Sequence, residues 1–299
     1  MKQSSRSGSS LILCLLVAAA ALYSPPSRPA AKSAQQQQQV ISTPFCPKGS
    51  RGYFVLYYGT DAAEFNEIRG LQPDFVIGDV PAKAQAKGQL AEFYRQMHDP
   101  ASPYPPVRAI LYKSTGRKVG KEIKGSLADP AAVDAYVRKA LGAGYEGIFF
   151  DDIDPSRHDY NYARAKTVKD FGKDRLVIMN PGRVVGDARI FDYADIVSVE
   201  NQWFMPLPAL PGVAPHRWLA VQGDPGDQQK VFNYLPPTTL GEAVKRLNEF
   251  RSGAHAGGQG AGGFWYYSAG DKLWKLPPYG SKQFRDEVLG LQGSGNACP

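Results

Sequence analysis

Two apolar runs in this chain end in carboxylates. Gly147-Ile148-Phe149-Phe150 passes directly into Asp151-Asp152, and Ile196-Val197-Ser198-Val199 passes into Glu200, with Asn201, Gln202 and Trp203 just beyond. An unbroken apolar run closed by acids has the form of a buried parallel strand that delivers its last side chains to a site. Two acids on separate strands can bracket a glycosidic bond. One donates a proton to the leaving oxygen, while the other acts as nucleophile or base across the sugar. One of the two must hold a proton near neutrality, which desolvation and a neighbouring carboxylate bring about by raising its pKa. Alternation groups Ile196, Ser198 and Glu200 on one strand face, so Glu200 is expected to face a shared mouth. Asp151 is preceded by apolar residues on both faces, and alternation does not separate it from Asp152. Asp154, followed by Pro155, reads as a cap or turn residue, and His158 as a surface helix residue. The acidic run lacks the closing Glu of a calcium loop, and no Cys/His group has zinc-site spacing. No metal and no cofactor is therefore expected.

The elements that must position these acids are legible as eight strand-like runs, at 53–58, 74–77, 107–112, 147–150, 176–179, 196–199, 218–221 and 263–267. Helical patterns, with apolar residues three and four apart, lie between several of them, at 62–68, 85–97, 131–141, 160–171 and 240–250. Alternating strand and helix implies parallel pairing, and eight such repeats in roughly 250 residues predict an α/β fold made of a single (β/α)8 barrel. An open doubly wound sheet is the competitor, but no Gly-x-Gly-x-x-Gly turn follows the first run. In a barrel of this kind the site lies at the carboxyl ends of the strands. The residues found there include Tyr57, Tyr58, Asp79, Lys113, Asn180, Gln202, Gln222, Tyr266 and Tyr267, with Trp203 and Trp265 nearby. These are the candidate substrate contacts, and the aromatic ones offer flat faces for sugar rings.

The amino terminus has the order of a secretory signal: Lys2 and Arg6, an apolar stretch from Leu11 to Leu22, then Ser24-Pro25-Pro26. The expected organisation is a signal peptide or uncleaved anchor at 1–24, a polar linker at 25–45 and the barrel at 46–299. The formal charge of +7 is inflated by four leader cations; the remainder carries 31 basic against 28 acidic residues. Without a cluster of Lys and Arg interleaved with aromatics, a nucleic-acid partner is not expected. After cleavage Cys46 and Cys298 form an even pair at the two ends of an exported domain, and a disulfide between them is expected. The chain is expected to be a secreted or periplasmic monomer, with no stable membrane insertion after cleavage.

Gly147-Ile148-Phe149-Phe150-Asp151-Asp152, then Asn180-Pro181-Gly182, then Val199-Glu200, resemble the spherulin-4 family along nearly the whole mature domain. The resemblance implies a (β/α)8 glycoside hydrolase whose microbial members cleave α-1,4-linked N-acetylgalactosamine-containing exopolysaccharide, with more distant kin acting on α-1,4-polygalactosamine. It places the family's acids on Asp151, Asp152 and Glu200. Where related hydrolases often carry glutamate, Asp152 is aspartate, and its shorter side chain suits tuning of charge or substrate contact better than direct proton transfer. The expected activity is endo-hydrolysis of an extracellular amino-sugar polysaccharide. The alternative is a non-catalytic wall- or matrix-binding protein on the same barrel.

Overall fold

Runs that are apolar on both faces need cover on both sides, and a sheet rolled on itself inside a shell of helices provides it. The computed structural model describes residues 39–46, 52–200, 208, 210–222, 239, 241, 245, 266–269, 282, 283, 285 and 286, with backbone alone at 200, 215, 220–222 and 266–269. Eight strands pair in parallel: β1 (Gly52–Tyr57), β2 (Phe75–Gly78), β3 (Ala109–Ser114), β6 (Gly147–Asp151), β7 (Leu176–Met179), β8 (Ile196–Glu200), β9 (Trp218–Gln222) and β10 (Tyr266–Ala269). Their order β1-β10-β9-β8-β7-β6-β3-β2 closes into a barrel through the β1–β2 and β1–β10 ladders. Two further short strands, β4 (Arg117–Val119) and β5 (Glu122–Lys124), form an antiparallel hairpin that leaves the end of β3.

The helices are α1 (Ala62–Leu71), α2 (Ala82–Ala86), α3 (Glu92–Met97), α4 (Pro130–Gly142) and α5 (His158–Lys169). They follow the first four barrel strands, whereas β7 is followed by a short 3-10 turn at Ala188–Asp192. The architecture is thus mixed α/β around a curled parallel sheet, and a full eightfold alternation is not seen among the described residues. The single helix expected at 85–97 is divided. Gly88 takes φ 77, a left-handed conformation that ends α2 and starts a new turn before α3. The helix expected at 240–250 lies almost wholly outside the described residues.

Strand alternation sorts the core into two layers. Phe54, Leu56, Phe75, Ile77, Ile110, Phe149, Leu176, Ile178, Ile196 and Leu219 fill the barrel lumen. Val55, Tyr57, Val76, Leu111, Ile148, Phe150, Val177 and Val197 face the helical shell. At the amino-terminal mouth the chain entering the barrel is pinned. Ile41 and Ser42 donate to the Asp192 carbonyl, Thr43 N–H donates to Asp195, and Phe45 packs edge-on against Phe75. No helix among the described residues is long and apolar enough to cross a membrane.

Candidate active site

Asp151 is the last residue of β6 and shares the lumenal register of Phe149, so strand geometry separates it from Asp152. Both of its oxygens are occupied. Tyr112 Oη, from β3, donates to Oδ2 at 2.8 Å, and Asn180 Nδ2, just past β7, donates to Oδ1 at 2.7 Å. Asn180 in turn accepts from Gly182 N–H at 2.9 Å through its Oδ1, so the two ends of its amide are assigned consistently. Gly182 adopts φ 64, the left-handed conformation that the Asn-Pro-Gly turn requires and that glycine reaches without strain.

Burial, reinforced by the Asp152 charge, pushes the Asp151 carboxyl up to about 6, against the opposing effect of its hydrogen bonds. Asp152 leaves the strand at φ 54 and points its Oδ2 to Ser114 Oγ, which donates at 2.6 Å. The backbone of the pair is strapped from the neighbouring loop: Thr115 N–H donates to the Asp151 carbonyl at 2.8 Å and Ser126 N–H to the Asp152 carbonyl at 3.1 Å. Tyr112 is itself held far from ionisation by burial and by the Asp151 charge, so it remains a donor.

The other expected contacts divide into three groups. Tyr58 joins the site, its ring meeting Tyr112 edge-on at 5.3 Å between centroids. Asp79 and Lys113 come together at the ends of β2 and β3. Burial raises the Asp79 carboxyl and lowers the Lys113 amine, and each charge partly offsets that effect in the other. Lys113 shares the outer register of Leu111 and lies 4.9 Å from the centroid of Tyr136 on α4, so it faces the helical shell and not the lumen, which corrects the expectation for it. Tyr57 does not reach the mouth, which corrects the expectation for it. It falls on the outer register of β1, packs edge-on against Phe65 and donates its hydroxyl to Glu64 of α1. Its role is to seat a helix on the barrel wall.

Glu200 ends β8, two strands around the same rim from β6, and its side chain lies outside the description. Gln222 ends β9 at the carboxyl-end rim, whereas Tyr266 and Tyr267 open β10 in register with Gly52 and Tyr53 at the start of β1, so they lie toward the amino-terminal mouth, which corrects the expectation for them; Gln202, Trp203 and Trp265 lie outside the described residues. Asp154 forms the expected turn, accepting from Ser156 N–H at 3.0 Å and Ser156 Oγ at 2.6 Å. His158 is less exposed than expected, its ring nitrogens each 3.1 Å from the Tyr193 hydroxyl and Asp187. Tyr112, the hydrogen-bond donor to Asp151, is not singled out in the sequence, and Ser114, the donor to Asp152, reads there only as a polar strand end. A signal for them exists: both share the lumenal register of Ile110, and a phenol in an apolar lumen needs an acceptor.

No family model and no curated protein matches this chain. Among solved structures, similarity extends to a GH5_18 protein from Bifidobacterium longum crystallised with Manβ1-4GlcNAc, at 11% identity and TM-score 0.45 over 83% of this chain and 80% of that one. It also extends to an orotidine 5'-phosphate decarboxylase from Pyrococcus horikoshii, at 12% identity and TM-score 0.38 over 80% of this chain and all of that one. A dipeptide epimerase from Enterococcus faecalis is similar at 10% identity and TM-score 0.34 over 52% of this chain, which spans only 41% of that protein's length. None of these likenesses reaches the level from which a shared activity follows.

Proposed function

We propose that this chain is an exported glycoside hydrolase of the spherulin-4 type, built on a (β/α)8 barrel and cutting within α-1,4-linked N-acetylgalactosamine or galactosamine polysaccharide. The observation that carries the reading is Asp151. It is a half-buried carboxyl at the carboxyl-end rim of a parallel barrel, gripped on both oxygens, with its pKa pushed up to about 6. A carboxyl so placed can hold a proton for a leaving glycosidic oxygen. Glu200 supplies the opposing carboxylate as nucleophile or base, and Asp152 sustains the raised pKa of Asp151 through its charge. Tyr58 and Tyr112 provide ring faces beside the acid.

Incubating the purified protein with α-1,4-linked N-acetylgalactosaminyl oligomers, their deacetylated forms and chitin oligomers tests the reading. Turnover is expected on the galacto-configured series and should fall as pH rises above about 6, where Asp151 loses its proton. Asp151→Asn and Glu200→Gln should each lower kcat at least ~100-fold while sparing binding. Near-normal turnover in Glu200→Gln would remove Glu200 from the mechanism. Binding without turnover on every polymer would favour the matrix-binding alternative.

A further inference from the structure

Beside the acid pair lies an open groove of about 750 Å³, with Lys124, Arg157 and Arg183 on its walls against the single carboxylate of Asp154. All three cations are exposed. The groove is made from the turns that hold the site together. Ile153 and Asp154 directly follow Asp152, and Pro181 directly follows the Asn180 that grips Asp151. Arg183 comes just after the Gly182 turn, and Lys124 ends β5 in the hairpin that leaves β3.

The cations are not neutralised locally. Asp154 is held below the usual carboxylate range first by hydrogen bonds from Ser156, then by the charges of Arg183 and Arg157, so one carboxylate is shared between two guanidiniums. Arg157 spends one nitrogen on the Ser126 carbonyl at 2.7 Å, a neutral acceptor that leaves its charge in place. Helix α5 starts at this same arginine without a side-chain cap, adding the partial positive charge of a helix amino terminus to the wall.

Because the groove is built from the turns that directly follow Asp152 and Asn180, a polysaccharide lying across Asp151 would extend toward it along the same rim. A free amino sugar there would meet like charge, whereas a carboxylate or sulfate would gain charge-assisted hydrogen bonds from two guanidiniums and an ammonium. We infer that the groove is a subsite for an anionic unit, so that the polymer reaching Asp151 is an acidic polysaccharide whose amino groups are acylated, not free. This inference rests on the carbohydrate reading of the Asp151 site and narrows its substrate class.

The test is calorimetric binding of equal-length α-1,4-linked oligomers that share the galacto configuration and differ in charge: galacturonate (anionic), N-acetylgalactosamine (neutral) and galactosamine (cationic). A sulfated galactan oligomer separates sulfate from carboxylate as the source of charge. One of the anionic oligomers should bind at least ~10-fold more tightly than the galactosamine oligomer at low salt, with the gap closing as ionic strength rises. Lys124→Gln combined with Arg183→Gln should weaken that anionic oligomer at least ~10-fold while changing the neutral one less than about twofold. Lys124→Gln alone, on a strand whose residues are all exposed, guards against a folding artefact and should move affinity in the same direction by less. Tighter binding of galactosamine, or anion affinity indifferent to salt and to both substitutions, would overturn the inference. Because binding is read without turnover, the two readings fail separately. Anion binding in a protein that cleaves no glycan would sink the hydrolase and keep the subsite. Cleavage of neutral oligomers with no preference for acidic ones would do the reverse.

Discussion

Asp151 gives up its proton at a cost to the fold. With its carboxyl raised from 3.8 to about 6, the native state binds that proton more tightly than the unfolded chain does. The sign follows from linkage: the contribution is favourable below the unfolded pKa, and stability falls as pH rises from about 4 through about 6. Above that window the folded protein carries a charge it would be more stable without, at a cost of roughly 3 kcal/mol. Asp151→Asn cannot ionise; its oxygen can still accept from Asn180 Nδ2, and its amide nitrogen can donate to Tyr112 once that hydroxyl turns to accept. The variant should therefore be more stable than the parent by on the order of 2–3 kcal/mol near neutrality, with the gap closing toward about pH 4. Urea denaturation across that range reads the difference, and a parent as stable as the variant at about pH 8 would contradict the raised pKa. Asp152 owes its identity to backbone geometry as much as to charge. At φ 54 it occupies the left-handed region, which Asp and Asn enter far more readily than most residues.

At the scale of elements, a buried ion pair ties α5 to the barrel floor. Lys169 Nζ, near the end of α5, reaches Asp195 Oδ2 at 2.6 Å, with the two side chains 6% and 1% exposed. Asp195 also accepts from Val177 N–H of β7 and from Thr43 N–H, so a single carboxylate joins helix, strand and entering chain. Burial pushes its carboxyl up despite Lys169. Lys169→Met should cost about 3–5 kcal/mol in urea denaturation, because it leaves that carboxylate buried without its counter-charge. A loss below about 1 kcal/mol would mean that the two backbone donors suffice. This pair was not legible in the sequence, where Lys169 and Asp195 are isolated charges 26 residues apart. The barrel strands were legible, because parallel strands covered on both faces read as continuous apolar runs. The same continuity hid which of Asp151 and Asp152 faces the lumen, and it placed Tyr57 in the cleft although Leu56 and Tyr58 share the inner register. The β4–β5 hairpin escaped notice because its strands are three exposed residues each and carry no apolar alternation.

At the scale of the whole molecule, a closed barrel needs its last strand to return to its first, and here β10 and Arg285 lie at that seam. β10 pairs with β1, and Arg285, beyond β10, donates to the Leu71 carbonyl at the end of α1 at 2.8 Å. Because α1 runs back against β1, its last residue lies toward the amino-terminal mouth, where Phe45 packs on Phe75. Cys46, next to Phe45, is disulfide-bonded. The chain has two other cysteines, Cys14 and Cys298, which lie outside the described residues. Twelve residues lie between Arg285 and Cys298, a reach of roughly 40 Å if extended. We predict that Cys298 is the partner. In the chain-entropy model a loop of this length contributes up to about 5 kcal/mol by restricting the unfolded chain, and measured gains are commonly smaller. Peptide mapping without reductant should recover the peptides containing Cys46 and Cys298 as one cross-linked species, and Cys298→Ser should lower the urea midpoint. A free thiol at Cys298, or Cys46 linked to Cys14 in an uncleaved chain, would refute the pairing and leave Arg285 and the β1–β10 ladder as the contacts that hold the seam.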